Sequence, residues 1–165
     1  RGLAPVELAR AMVDQFRRVW QEIEPTARQR GLSMREVVTL ASIIEKETGV
    51  ARERPLIASV FLNRMHQGMR LETDPAVIYG IPDFDGNLRR RDLENEANPY
   101  NTYRIAGLPP GPIASPGAAA LRAVVEPAQT PYLFFVSRND GSHTFSKTYD
   151  EHLAAVNRYQ RSGGS

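Results

Sequence analysis

The chain has 165 residues, enough for one domain with a sizeable core and too few for two. Hydrophobic residues make up 41% and charged residues 24%, the balance of an ordinary globular protein, and no apolar run reaches the roughly 18 residues a membrane span needs. Cysteine is absent, which excludes disulfides, a cysteine nucleophile and thiolate metal sites; the net charge of +2 and a single basic run, Arg89-Arg90-Arg91, answered at once by Asp92, Glu94 and Glu96, predict no nucleic-acid surface.

The first segment reads as a long helix, because Val6, Ala9, Val13, Phe16, Trp20 and Ile23 recur at steps of three and four. Pro5 suits a first helical position, Pro25 should end or kink the stripe, and Gly31 closes the segment. The second helix opens on a capping box, Ser33 with Glu36, stapled by Leu32 and Val37. It carries Val37, Val38, Leu40, Ala41, Ile43 and Ile44 and is expected to end about Thr48, before Gly49. A third helix is expected over 55–67, with Ile57, Val60, Phe61 and Met65 inward. Met69 to Glu72 reads as extended. Asp74-Pro75 then reads as an N-cap followed by Pro at N1, opening a short helical turn to Tyr79.

The stretch 98–116 holds Pro99, Pro109, Pro110, Pro112 and Pro116 with Gly107 and Gly111, a density that neither helix nor strand survives. It must be a long structured loop, and long ordered loops in compact domains often carry function. Ser115-Pro116 starts a helix through Leu121, Val124 and Val125. A hairpin follows, with strands 132–137 and 143–146 around Asn139-Asp140-Gly141. Thr148 and Glu151 form a second capping box for a last helix with the stripe Leu153, Val156 and Tyr159, a helix expected to serve folding and not chemistry. The expectation is an α+β fold: one mostly helical domain over 1–161 with a small antiparallel sheet and a long Pro/Gly-rich loop. Within it 1–31 is the leading helix and 33–160 the core, and 162–165 is a flexible tail.

On the wheel of the second helix, the apolar arc centres near Val37, Ala41 and Ile44, and Glu45 falls inside it. Glu47 falls at the other margin, beside Leu40 and Ile43. A desolvated carboxyl keeps its proton nearer neutrality, which is what a glycosidase needs to protonate a leaving oxygen. The same position also suits a glutamate paired with a neighbouring arginine. Glu72 and Asp74 are candidates for the second carboxylate of a two-acid hydrolase, although capping alone accounts for Asp74. Tyr100, Asn101, Thr102 and Tyr103 offer amide, hydroxyl and aromatic groups suited to sugar recognition, or to packing the loop on itself. His66, His143 and His152 have no metal-ligand spacing, and no G-x-S-x-G accompanies the mid-helix Ser42 and Ser59.

Several long motifs appear in order between residues 35 and 157. They are Ala41-Ser42-Ile43-Ile44-Glu45-Lys46-Glu47-Thr48, Ala58-Ser59-Val60-Phe61-Leu62-Asn63-Arg64, Leu71-Glu72-Thr73-Asp74-Pro75 with Val77-Ile78-Tyr79-Gly80, and Tyr100-Asn101-Thr102-Tyr103. Gly107 through Gly117, Pro131 through Val136 and His143-Thr144-Phe145 continue the series. Together they resemble the catalytic domain of the MltG (YceG-like) endolytic murein transglycosylases. The resemblance implies cleavage of the MurNAc-β-1,4-GlcNAc bond within peptidoglycan glycan strands, leaving 1,6-anhydro ends. It implies Glu45 as the acid and then the base, and Glu72, Thr73, Asp74, Tyr79, Asn101, Thr102 and Tyr103 as substrate-binding residues. It implies no cofactor and no metal. A membrane anchor and a LysM-like module are expected upstream, with the domain at the extracytoplasmic face of the bacterial inner membrane and cell-wall synthases as partners. The rival readings are a muramidase hydrolysing the same bond with a second carboxylate, and a non-catalytic peptidoglycan-binding module.

Overall fold

The computed structural model describes residues 4–161, so the expected tail at 162–165 lies outside the described residues. The first helix, α1 (Pro5–Gln29), starts at its proline as expected and continues through Pro25, which was expected to end or kink it. Pro25 forfeits one backbone hydrogen bond. Ile23 and Ala27, on either side of it, are both buried in the core, and that packing keeps the helix continuous. Only the second half of the stripe is used: Trp20 and Ile23 are buried, joined by Val19 from outside the stripe, while Val6 and Val13 stay exposed.

The centre of the domain is α2 (Met34–Glu47), whose capping box forms as read: the Ser33 N–H donates to Glu36 Oε2 at 2.8 Å and the Glu36 N–H to Ser33 Oγ at 3.3 Å. Every residue from Thr39 to Ile44 is buried. A helix buried all round has no solvent face from which to tell in from out. Around it pack α1, α3 (Arg54–His66), the short α4 (Asp74–Tyr79) and α6 (Ala118–Val125). A 3-10 turn, Ala51–Glu53, leads into α3. One further short helix, α5 (Arg90–Glu94), was not expected; it forms inside the basic run, where Arg90 pairs with Glu94 one turn on at 2.7 Å and the Arg89 N–H donates to Asp92 Oδ2 at 2.8 Å.

The sheet is one antiparallel pair, β1 (Phe134–Ser137) and β2 (His143–Ser146), in the register Phe134 to Ser146 and Ser137 to His143. The first strand is shorter than expected because the Tyr132 carbonyl is taken by the Asn63 amide at 2.9 Å. The last helix, α7 (Tyr149–Val156), begins at Thr148 as read and ends in a π-helical turn, Asn157–Arg161. Its inward face differs from the expected stripe. Leu153 is exposed, and Ala155 and His152 turn inward because the Phe134 ring of β1 stacks on the His152 ring at 5.1 Å. Thr148→Ala removes the hydroxyl that accepts the Glu151 N–H at 3.2 Å, and should lower stability by about 1 kcal/mol in chemical denaturation. The α+β class, mostly helical with one small sheet, is as expected.

Candidate active site

The long loop is held by buried polar side chains. Asn101 is fully buried; its Nδ2 donates to the carbonyls of Asp92, Leu93 and Asn95 at 3.3, 3.1 and 2.8 Å, and its Oδ1 accepts the Tyr103 N–H at 3.1 Å. Thr102, also fully buried, accepts the Thr73 N–H at 2.9 Å and donates to the Thr73 carbonyl at 3.1 Å. Asn98 donates to the Val77 carbonyl at 3.0 Å, and a Cβ on Gly80 would lie 1.9 Å from its Oδ1, so only glycine fits there. Farther along, the Ile113 N–H donates to Ser42 Oγ at 2.9 Å, which gives that mid-helix serine a structural task.

These contacts correct part of the expected substrate-binding set. Asn101, Thr102 and Thr73 are closed off from solvent and cannot touch a glycan; they build the loop and tie it to 72–74. Asn101→Ala should therefore cost about 2–3 kcal/mol of stability, because it leaves several buried groups without partners. A melting temperature equal to that of the wild type would contradict this placement.

What the loop and helices enclose is an open polar cavity of 360 Å³. Glu47 enters it from the end of α2, Arg64 from α3, Glu72 and Asp74 from the start of α4, and Tyr103 from the loop, with Leu71 and Phe135 as its apolar wall. The surprise is His152, which α7 brings to the same wall. A separate, larger cavity of 450 Å³ between α3 and the 127–130 segment contains no carboxyl group.

Burial raises the Glu47 carboxyl above its ordinary value near 4.5, and the neighbouring Asp74 charge adds to that. The Thr73 hydroxyl donates to Glu47 Oε1 and opposes the shift, as do the charges of His143 and Arg64. The other carboxylates already have partners. Glu72 faces Arg64 at 3.6 Å, and Asp74 Oδ1 accepts the Tyr103 hydroxyl at 2.7 Å. Asp74 is thus not the helix cap it was expected to be; Thr73 occupies that position, and the Asp74 carboxylate is free to hold Tyr103. Desolvation, reinforced by that bond, pushes the tyrosine hydroxyl well above its ordinary value and keeps it a neutral donor.

Glu72 adopts a left-handed backbone, φ 53°, uncommon for a residue with a Cβ. Arg64 and Thr102 grip both sides of that bend. Arg64 Nη1 donates to the Leu71 carbonyl at 2.8 Å, and the Glu72 N–H donates to the Thr102 carbonyl at 3.2 Å.

Glu45 does not line this cavity. Its Oε2 accepts the Gly117 N–H at 3.0 Å, at the start of α6, and its Oε1 lies 3.5 Å from Arg54. A carboxylate at a helix N-terminus beside an arginine is a stabilising arrangement, the paired alternative that the wheel left open. Tyr79 is 53% exposed, with its ring 4.8 Å from that of Tyr100, outside the cavity lining.

The domain is thus helical with one small hairpin, and a carboxyl-rich cavity lies at the end of its buried central helix. The family model described as the YceG-like family matches residues 1–158, and the chain belongs to that family. It is 36% identical over 153 residues to the endolytic murein transglycosylase of Bacillus subtilis (strain 168), across 93% of this chain and 42% of that protein. It is 31% identical over 132 residues to the endolytic murein transglycosylase of Streptococcus pneumoniae serotype 2, across 77% of this chain and 24% of that protein. The chain thus spans less than half the length of the curated relatives it matches. The crystal structure of a yceG-like protein from Listeria monocytogenes superposes with a TM-score of 0.80 at 35% identity, covering 93% of this chain and 50% of that one.

Proposed function

We propose that this domain is the catalytic part of an endolytic murein transglycosylase, cutting MurNAc-β-1,4-GlcNAc bonds and closing a 1,6-anhydro ring, with Glu47 as its acid and then its base. The observation that carries the reading is a glutamic acid at the edge of an open cavity, its carboxyl pushed above its ordinary value by burial. The acid role expected for Glu45 moves two residues along α2, because Glu45 is engaged by Gly117 and Arg54 outside that cavity.

In the first half-reaction the Glu47 proton passes to the glycosidic oxygen as the bond to the anomeric carbon breaks and positive charge develops on the muramic ring. Thr73 holds Oε1, which leaves Oε2 to deliver the proton. The Arg64 charge favours the carboxylate that results. In the second half Glu47 takes the proton of the sugar's own 6-hydroxyl as that oxygen attacks the anomeric carbon. The attack is intramolecular, so its effective molarity lets it outrun water. No second carboxylate is consumed, which agrees with Glu72 and Asp74 being held by Arg64 and Tyr103.

The family resemblance extends the proposal to peptidoglycan at the extracytoplasmic face of the cell membrane, with an anchor outside this chain and cell-wall synthases as partners. Among the described residues no helix is long and apolar enough to cross a membrane. The muramidase reading has one observation in its favour: Glu72 and Asp74 line the same cavity. Mass spectrometry of the fragments released from purified glycan strands separates the two, since anhydro and reducing ends differ by one water. Reducing ends as the sole product would overturn the transglycosylase assignment.

A further inference from the structure

The wall formed by α7 has no part in the chemistry above, yet it places an imidazole in the cavity. We propose that His152 contacts substrate, presenting its Nε2–H to an oxygen of the sugar bound beside Glu47. The inference rests on the cavity being the glycan site.

Three observations converge on this residue. First, the ring is fixed: it stacks on Phe134 at 5.1 Å with the two planes 21° apart, and Tyr149 flanks it at 6.3 Å. The capping box of Thr148 and Glu151 sets the helix that carries it. Second, Nδ1 is buried without a hydrogen-bond partner. A proton there would be a buried donor with no acceptor, so the neutral ring carries its proton on Nε2. Burial and the Arg64 charge lower the imidazole below its ordinary value, against the Glu72 charge, and so favour the neutral ring. Third, the acceptors of the cavity are already engaged: Glu72 with Arg64, Asp74 with Tyr103, and Glu47 with Thr73.

A positioned neutral donor without a protein acceptor suits a ligand oxygen. A glycan offers hydroxyl groups and the acetamido carbonyl, uncharged acceptors that a neutral imidazole can bind without a counter-ion. His152 thus orients the sugar whose bond Glu47 cleaves.

Three variants of the purified chain, assayed on purified glycan strands, test the assignment. His152→Phe keeps the stack on Phe134 and removes the donor. His152→Gln puts an amide N–H near the Nε2 position, whereas His152→Asn puts one near Nδ1. The Phe and Asn variants should lose on the order of tenfold in kcat/KM, and the Gln variant should stay within about twofold of the wild type, all at similar melting temperature. Wild-type kcat/KM in His152→Phe would overturn the inference. Equal activity of the Gln and Asn variants would do so as well, and that comparison decides the matter if the Phe variant does not fold. Glu47→Gln is assayed alongside. If it is inactive while His152→Phe is fully active, only the role of His152 falls; if Glu47→Gln is itself fully active, the reading of the cavity falls.

Discussion

Glu47→Gln should fold normally and release essentially no fragments from glycan strands, a loss on the order of a thousandfold in kcat. Glutamine keeps the shape and still accepts the Thr73 hydroxyl, but it cannot deliver or take a proton. Glu45→Gln is the matched control. It keeps an acceptor for the Gly117 N–H and weakens only the pairing with Arg54, so it should retain most activity. The reverse result, an inactive Glu45→Gln beside an active Glu47→Gln, would return the acid to Glu45.

The same group predicts two pH dependences. Its carboxyl is raised in the folded chain, so the first half-reaction should slow as pH climbs through that raised value and Glu47 arrives already ionised. For stability, the folded state holds this proton at pH values where the unfolded state has released it. Between about 4.5 and the raised value stability therefore falls as pH rises, and the loss is complete above it. Glu47→Gln removes this dependence and should melt higher than the wild type at neutral pH, with little difference in acid. A wild-type melting temperature that does not fall, relative to the variant's, on moving from acid to neutral pH would sink the claim that burial holds the proton.

Arg64→Met should show the largest effect on stability, about 3 kcal/mol or more. The guanidinium is almost wholly enclosed. Its Nε donates to the Leu133 carbonyl at 2.6 Å, its Nη1 to those of Leu71 and Arg70 at 2.8 and 3.2 Å, and its face lies 5.2 Å from the Phe134 ring centre. Methionine replaces the stem but leaves these carbonyls without donors and Glu72 without its partner. Lysine cannot span the same geometry with one ammonium, so Arg64→Lys should recover only part of the loss. Since Arg64 links α3 to the hairpin and to the bend at Glu72, activity should fall with stability. A denaturation midpoint unchanged in Arg64→Met would show that these bonds do not hold the cavity together.

Local chemistry explains which features were legible without a structure. The capping boxes at Ser33 and Thr148, the hairpin around Asn139-Asp140-Gly141 and the loop at 98–116 follow from residues close together in the chain. The family motifs, too, are local strings, and the family match covers residues 1–158. The site was only partly legible. Glu72, Asp74 and Tyr103 do line the cavity, but Asn101 and Thr102, adjacent to Tyr103 in the same motif, point into buried backbone instead.

The sequence by itself determined most of the elements, the α+β class and the family, because each depends on spacing and on short-range hydrogen bonds; the short α5 and the unbroken passage of α1 through Pro25 it did not. Only the tertiary structure separates the surroundings of Glu45 from those of Glu47. Periodicity locates a face of a helix relative to solvent, and α2 is buried on every side from Thr39 to Ile44, so its wheel carries no such contrast. What distinguishes the two carboxyl groups is what arrives from elsewhere in the chain: the start of α6 with Arg54 at Glu45, and Thr73, Asp74 and Arg64 at Glu47. The inward turn of His152 has the same origin, since it depends on where the Phe134 ring lies, a contact between β1 and α7 that no local pattern encodes.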